Sequence, residues 1–560
     1  MGENPDDIEF KDLRSEDGYE DDEPVLYNER PTVSLPLKGL DTPQRQWGAI
    51  GVFGVVIFLM VLFAALYLSS YKSPLDATST FSTFSSPMTS TSTSSSSAST
   101  PPSVIFFIAD GYGPASATLA RTLSGECSLP LDDMVMGSVR TKSTSSLITD
   151  SAAGATAYAC AHKTYNAAIA VLDNHTACGT MMEAAKASGV WKTALVTTSR
   201  ITHATPASWS AHVKHRDMEF EIAAQQARQQ DVDLLLGGGL KQFTSRPDGA
   251  DLFREMRQRG YTTTNDLATF RSLTSADLPL IGLFNHDHIT WEIDRRRVTP
   301  QKEPSLSEMV SAALRLLSDA GQPFFMMVEA ARIDLAEHQH DAAAERFELQ
   351  EYMRSVKLVK EFVDAHPNTL VIAVADHETG GLSLGNSPAP PFVYPAYQWE
   401  PSVILAVNAS AEFMANKIYL GASAQDTFSA YTNIDDLDAM ELTRIEDALQ
   451  IADSSPYWLP LVIADVICDR AGLGWSTPGH SGVDITLHQY GKIIPALRGN
   501  VENCCVGGAL RDHLGLTEGM AQITQALASV YDPASGTTFQ SVSSTPSSSS
   551  PPQARFFSHD

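Results

Sequence analysis

The chain has 560 residues, with 66 Asp and Glu against 39 Lys and Arg for a formal charge of −27, and six cysteines. That charge excludes a protein organised around a basic nucleic-acid-binding field. Six cysteines are too few for a small disulfide-stapled scaffold, and a 43% hydrophobic fraction excludes a polytopic transporter.

In chain order, residues 1–47 hold 13 acidic and 5 basic residues and read as a disordered acidic tail. Residues 48–68 (GAIGVFGVVIFLMVLFAALYL) are 21 residues without a charge. At 1.5 Å per residue, about 20 apolar residues cross a hydrocarbon core of about 30 Å, so this run predicts one transmembrane signal-anchor helix. It begins too far into the chain and runs too long for a cleaved signal peptide. Arg30, Lys38 and Arg45 precede the span and only Lys72 follows it closely, which places the N-terminus in the cytosol and the body on the lumenal side. Residues 69–103, nearly all Ser and Thr, read as a lumenal linker, and 533–560 as a Ser/Pro-rich disordered tail. Cys127, Cys160, Cys178, Cys468, Cys504 and Cys505 all follow the span, as do the glycosylation candidates Asn174 (Asn-His-Thr) and Asn408 (Asn-Ala-Ser). The pairing of the cysteines is not deducible from spacing.

The body, 104–532, alternates continuous apolar runs with helix-period segments. Val104–Ala109, Ala194–Thr198, Leu234–Leu236, Phe324–Val328 and Leu370–Ala375 read as fully buried strands, and Leu306–Asp319 and Ala342–Ala365 as helices. The expected fold is α/β, a three-layer α/β/α sandwich on a largely parallel central sheet. The stretch 380–479, rich in Pro, Asn and Asp, reads as insertions around that sheet.

Three predicted strands end in acid: VIFFIA in Asp110, FFMMV in Glu329, LVIAVA in Asp376-His377. Ligands of doubly wound sheets bind beyond the carboxyl ends of strands, and three carboxylates on one rim repel unless cations lie between them. Asp334 and His338, spaced i, i+4, share one helical face five residues after Glu329. Imidazole with carboxylate suits zinc, and all-oxygen positions suit magnesium. Thr149-Asp150-Ser151-Ala-Ala-Gly-Ala-Thr-Ala sets Ser151 at the start of an Ala-rich helix, whose free N–H groups and dipole favour phosphate. Asp150 is equally an ordinary N-cap.

These residues resemble the alkaline phosphatase family. The resemblance rests on Ile108-Ala-Asp110-Gly111-Tyr-Gly113, the Ser151 segment, His203-Ala-Thr205-Pro206 with Ala211-His-Val-Lys-His-Arg216, Val328-Glu329-Ala-Ala-Arg-Ile-Asp334 with His338, Ala375-Asp376-His377-Glu-Thr-Gly and Gly479-His480-Ser-Gly. It covers most of 104–530, and with the N-terminal anchor the chain is most similar to the fungal vacuolar, type II membrane members. The resemblance implies broad-specificity hydrolysis of phosphate monoesters through a phosphoserine at Ser151, giving an alcohol and inorganic phosphate at a rate that rises towards alkaline pH. It implies two Zn2+ and one Mg2+: one zinc on Asp334, His338 and His480, the other on Asp110, Asp376 and His377, the magnesium on Asp110, Thr205 and Glu329. Arg216 would clamp phosphate, His203 and Asp150 would stand just behind these groups, and the chain would be a homodimer on the vacuolar membrane.

Two positions depart from the bacterial pattern. His203 stands where bacterial members have Asp, as in animal members, and Leu335 stands where bacterial members have Lys and animal ones His. Leu335 cannot donate to phosphate. His286-Asp287-His288 has a ligand-like look but no partner cluster, and His212, His215 and His340 read as packing or surface residues. Cys160 reads as a small apolar packing group. Nucleotide pyrophosphatases, sulfatases and phosphoglycerate mutases are the rival enzymes, and a catalytically dead tethered interaction protein is the rival of another class.

Overall fold

A computed structural model describes residues 100–386 and 397–537. The tail 1–47, the span 48–68 and most of 69–103 and of 533–560 lie outside the described residues, as does 387–396. No helix among the described residues is long and apolar enough to cross a membrane.

Among the described residues fourteen strands occur in chain order: β1 (Ser103–Ile108), β2 (Val135–Arg140), β3 (Lys192–Arg200), β4 (Leu234–Gly238), β5 (Thr262–Thr264), β6 (Leu280–Leu283), β7 (Phe324–Glu329), β8 (Thr369–Val374), β9 (Glu378–Thr379), β10 (Ser383–Leu384), β11 (Leu473–Gly474), β12 (His480–Ser481), β13 (Ile485–Gly491) and β14 (Gly499–Glu502). Ten form one sheet in the order β14-β2-β13-β8-β1-β7-β3-β4-β6-β5. Every pair is parallel except those of β13, which runs against both β8 and β2. The fold is α/β with a large, mostly parallel central sheet, as the apolar runs require: every residue of β4, β7 and β8 is buried, so both faces are covered.

Register sets up the chemistry. β1 lies between β7 and β8, and Ile108 pairs with Glu329 on one side and Val374 on the other. Asp110, Glu329 and Asp376 therefore leave three adjacent parallel strands at one edge. The helices Leu306–Asp319 and Ala342–Ala365 span the expected residues. Within 380–479 the described residues form the helices Pro401–Ala406, Ala411–Tyr419, Ala424–Thr432, Ala439–Gln450 and Trp458–Ala471. Residues 532–537 turn back on the body, where Val213 bridges Thr537.

Cys160 departs from its expected role as an apolar filler. It is disulfide-bonded to Cys178, while Cys127, Cys468, Cys504 and Cys505 are free thiols. Only the fold brings positions 160 and 178 to bridging distance, so spacing could not reveal the pair.

Candidate metal centre and nucleophile

Ser151 opens the helix Ser151–Cys160, all of whose residues are buried. Asp150 caps it, accepting from Ala153 N at 2.9 Å through Oδ1 and from Ala167 N at 2.7 Å through Oδ2. A cap is needed because the first turn's N–H groups have no partner within the helix. The small residues of this helix permit its close seat on the strand ends: a Cβ at Gly154 would lie 3.0 Å from Asp376 Cβ. Ser151 Oγ is thereby held 3.1 Å from Nε2 of His377, just beyond β8.

Around it the acidic strand ends converge with histidines from elsewhere. Asp110, Asp376 and His377 form one buried group whose ligand atoms lie within 4.8 Å of one another; Asp334, His377 and His480 form a second; Asp110, His203 and Glu329 a third. His338 adjoins the second group: its Nε2 is 3.3 Å from Asp334 Oδ2 and 3.2 Å from His480 Nε2. Asp334 and His338 share one face of the helix Arg332–His338, as their spacing predicts. Gly111, in the left-handed region at φ +76°, leaves room for this helix, since a Cβ there would meet Asp334 Cα at 2.8 Å.

The arrangement fits metal ions. Both carboxyl oxygens of Asp110, Asp376 Oδ2, Glu329 Oε1 and Thr205 Oγ1 are buried and take no hydrogen bond among the described residues. Leaving so many buried polar atoms without a partner costs several kcal/mol each, which a cation removes. Burial, then the Asp376, Asp334 and Glu329 charges, push the Asp110 carboxyl well above the usual range; burial and Asp334 do the same to Asp376, and burial raises Glu329. Asp334 goes the other way: the nearby histidines, His338 foremost, overcome its burial and hold it well below. Burial and the His480 ring push the His377 imidazole down, leaving it neutral and able to ligate.

The ligand atoms are oriented from behind, as such sites require. His338 Nδ1 faces Pro478 O at 2.6 Å, His480 Nδ1 faces Thr149 O at 2.8 Å, and Thr379 Oγ1 donates to Asp334 Oδ1 at 2.5 Å. Thr197 Oγ1 and Ser199 Oγ both donate to Glu329 Oε2, the latter at 3.0 Å. Thr197, Ser199 and Thr379 escaped the sequence reading because a lone hydroxyl residue carries no spacing signal. Arg216 is buried, with Nη2 3.0 Å from His203 Nε2 and Nη1 3.5 Å from Asp150 Oδ2.

Residues set aside in the sequence lie outside the groups. Asp287 and His288 engage Arg200, at 2.8 Å and 2.7 Å, and neither His286 nor His288 enters a metal-holding group among the described residues. His212 pairs with Glu183 in the core, His215 is exposed, and His340 bonds Asp465. Leu335 packs with Trp291, Ile293, Ala336 and Ala344. Of the two sequons, Asn174 is exposed, while Asn408 is exposed beside a buried Ser410 that caps the helix Ala411–Tyr419.

The alkaline phosphatase family model matches residues 102–516. The alkaline phosphatase of Schizosaccharomyces pombe is 38% identical over 455 residues, 76% of this chain and 83% of that one. The repressible alkaline phosphatase of Saccharomyces cerevisiae is 38% identical over 467 residues, 74% and 81%. Among solved structures, Thermus thermophilus alkaline phosphatase superposes with a TM-score of 0.66 at 29% identity, covering 76% of this chain and 97% of that one. A serine at a helix start facing clustered carboxylates and imidazoles is the equipment of a metal-dependent phosphate monoester hydrolase, and the chain belongs to the alkaline phosphatase family.

Proposed function

We propose that Ser151 is the nucleophile and that hydrolysis proceeds through phosphoserine. The observation that carries this reading is the placement of Ser151 Oγ at a capped helix N-terminus, 3.1 Å from His377. Two zinc ions, on Asp334/His338/His480 and Asp110/Asp376/His377, and a magnesium on Asp110/Thr205/Glu329 would, when bound, acidify the hydroxyls they touch and neutralise charge on phosphate and leaving oxygen.

The chain's own residues do the rest. Arg216 holds two phosphate oxygens in its planar fork, kept in place by Asp150 and His203. The N–H groups at the start of the Ser151 helix face the same charge. Ser151 Oγ attacks phosphorus in line and gives up its proton, the bond to the leaving oxygen breaks, and that oxygen takes up a proton and departs as the alcohol, so that none is gained or lost in the step. Water then attacks the phosphoserine, the bond to Oγ breaks, and Ser151 recovers its proton as inorganic phosphate forms. Little beyond phosphate is gripped, which favours broad specificity. Trapping labelled phosphate on Ser151 by acid quench tests the reading; Ser151→Ala with undiminished monoester hydrolysis refutes it. Comparing a monoester, a diester and a sulfate ester distinguishes it from related metallo-hydrolases.

The proposed setting follows from the sequence. Residues 48–68 anchor a type II single-pass protein by a signal-anchor helix, with 1–47 in the cytosol, 69–102 as lumenal linker, a catalytic domain that opens with β1 at Ser103 and runs through Thr537, the residues after it as a trailing tail, and the vacuolar membrane as location. Asn174 and Asn408 carry glycans, and the chain works as a homodimer. Protease protection of sealed vesicles tests the orientation; mass in detergent solution tests the dimer.

A further inference from the structure

Two residues past His338, His340 sits where its ring reaches three segments at once. Its Nδ1 is 2.8 Å from Asp465 Oδ1 on the helix Trp458–Ala471, its Nε2 is 3.1 Å from Thr477 O, and its ring stacks on Trp475 at 5.1 Å with 2° between planes. Trp475 in turn donates from Nε1 to Cys468 Sγ at 3.4 Å, on that same helix. The ring is thus fixed at both nitrogens and on one face, and the residue is buried, 7% exposed.

What it grips is the segment that completes the Asp334 group. The carbonyl next to that of Thr477 is Pro478 O, which receives His338 Nδ1–H at 2.6 Å. With the proton on Nδ1, the lone pair is on Nε2, which lies 3.3 Å from Asp334 Oδ2 and 3.2 Å from His480 Nε2. Two residues beyond Pro478 comes His480 itself. The opposite side of the segment is tied to the stretch after His377: Ser476 N donates to Gly380 O at 2.8 Å, and Gly380 N to Gly479 O at 2.9 Å. Those bonds hold it against the stretch after His377. On the other side His340 holds the Thr477 carbonyl next to the Pro478 carbonyl that His338 itself bonds.

We propose that His340, braced by Asp465 and Trp475, is a positioning residue that fixes the Thr477–Pro478 carbonyls and so sets the aim of His338 and His480 on one metal ion. The inference rests on the reading of Asp334, His338 and His480 as that ion's ligands. Freed from His340, the Thr477–Pro478 turn gains room to swing, the His338 tautomer and ring angle are no longer dictated, and the ion binds more weakly. Groups built on Asp110, Asp376 and Glu329, supported by other strands, keep their affinity.

The test uses the full chain in detergent, stripped of metal and titrated with zinc against a chromogenic chelator, with bound metal counted per chain. His340→Asn is chosen because His340 has φ +56°, a left-handed conformation that Asn tolerates; Asp465→Ala, at a half-exposed helix position, is the second variant. One zinc site is expected to weaken about tenfold in each, the size typical of losing support behind a ligand. At saturating zinc, kcat and KM should stay within about twofold, and the melting temperature of the stripped protein should be unchanged. Wild-type zinc affinity in both variants overturns the proposal, as does equal weakening of every ion together with a lower melting temperature of the stripped protein. His480→Ala serves as the control: if it loses no zinc site, the ligand reading falls and this inference with it.

Discussion

Ser151 Oγ and His377 Nε2 lie 3.1 Å apart although 226 residues separate them in the chain. One opens a buried helix and the other follows a central strand, so neither can shift without moving the core. Ser151→Ala removes one oxygen from this contact and nothing from the packing. It should lower kcat by at least about 10³-fold, the scale seen when a nucleophile is deleted from an intact site, with little change in melting temperature. Initial rates on a chromogenic phosphate monoester decide it; activity within tenfold of wild type would count against Ser151.

Metal removal should cost both activity and stability. The buried oxygens of Asp110, Asp376 and Glu329 without hydrogen bonds repel one another when no cation lies among them. An ion present at 1,000 times its Kd stabilises the folded chain by about 4 kcal/mol. Calorimetry after chelation should therefore show a markedly lower melting temperature, restored stepwise by zinc and then magnesium. A stripped protein melting with the holoenzyme would speak against these groups as metal sites.

Asp150 joins two tasks, capping the Ser151 helix and meeting Arg216 at 3.5 Å. Asp150→Ala should destabilise by about 1 kcal/mol through the lost cap. It should also loosen the guanidinium and raise the inhibition constant of inorganic phosphate roughly fivefold, since a contact of that length is worth about 1 kcal/mol. Arg216→Ala removes two charge-assisted bonds to phosphate, and the same constant should rise roughly 10²-fold. Phosphate inhibition curves for both variants distinguish the two effects; equal, small changes would place Arg216 away from substrate.

The parts of the fold legible in the sequence are those written as uninterrupted apolar runs or long helical periods. Val104–Ala109 and Leu370–Ala375 fall within a residue of β1 and β8, because a strand buried on both faces has no polar side to blur it. β2 and β14 are mostly part-exposed, β14 has only four residues, and β13 alone in the ten-stranded sheet runs antiparallel, features set by which neighbours the fold offers. The candidate ligand residues were legible because acid recurs at the ends of three strands and because the motifs resemble a family. Thr197, Ser199 and His340 were not, since their roles come from contacts across 132, 130 and 137 positions with Glu329 and Thr477.

The disulfide between Cys160 and Cys178 ties the end of the helix Ser151–Cys160 to a residue 18 positions on. The loop it closes includes Ala167, whose N–H bonds Asp150. Closing a loop of that size limits the unfolded chain and is worth about 3 kcal/mol. Cys178→Ser should lower stability by about that amount in denaturant unfolding, and thiol labelling should find one new reactive sulfur at Cys160 only on unfolding, as it is buried. Unchanged stability would show that the bond does not constrain the unfolded ensemble.

His488 on β13, which belongs to none of the candidate metal groups, supplies a pH dependence of its own. Burial pushes its imidazole down to about 4, against the opposing pull of the Ala373 carbonyl, which accepts from Nδ1–H at 3.1 Å. Above about pH 6.5 the ring is neutral in the folded and the unfolded chain, so it contributes no pH dependence there. Between about 6.5 and 4 the unfolded chain binds a proton that the folded chain refuses, and stability falls as pH falls. The full loss across that window is about 3 kcal/mol. His488→Gln keeps a donor for Ala373 without the titration. Urea unfolding of the stripped proteins at pH 7 and pH 4 should therefore show wild type losing about 3 kcal/mol more than the variant. Equal losses would mean that the folded chain protonates His488 as readily as the unfolded one.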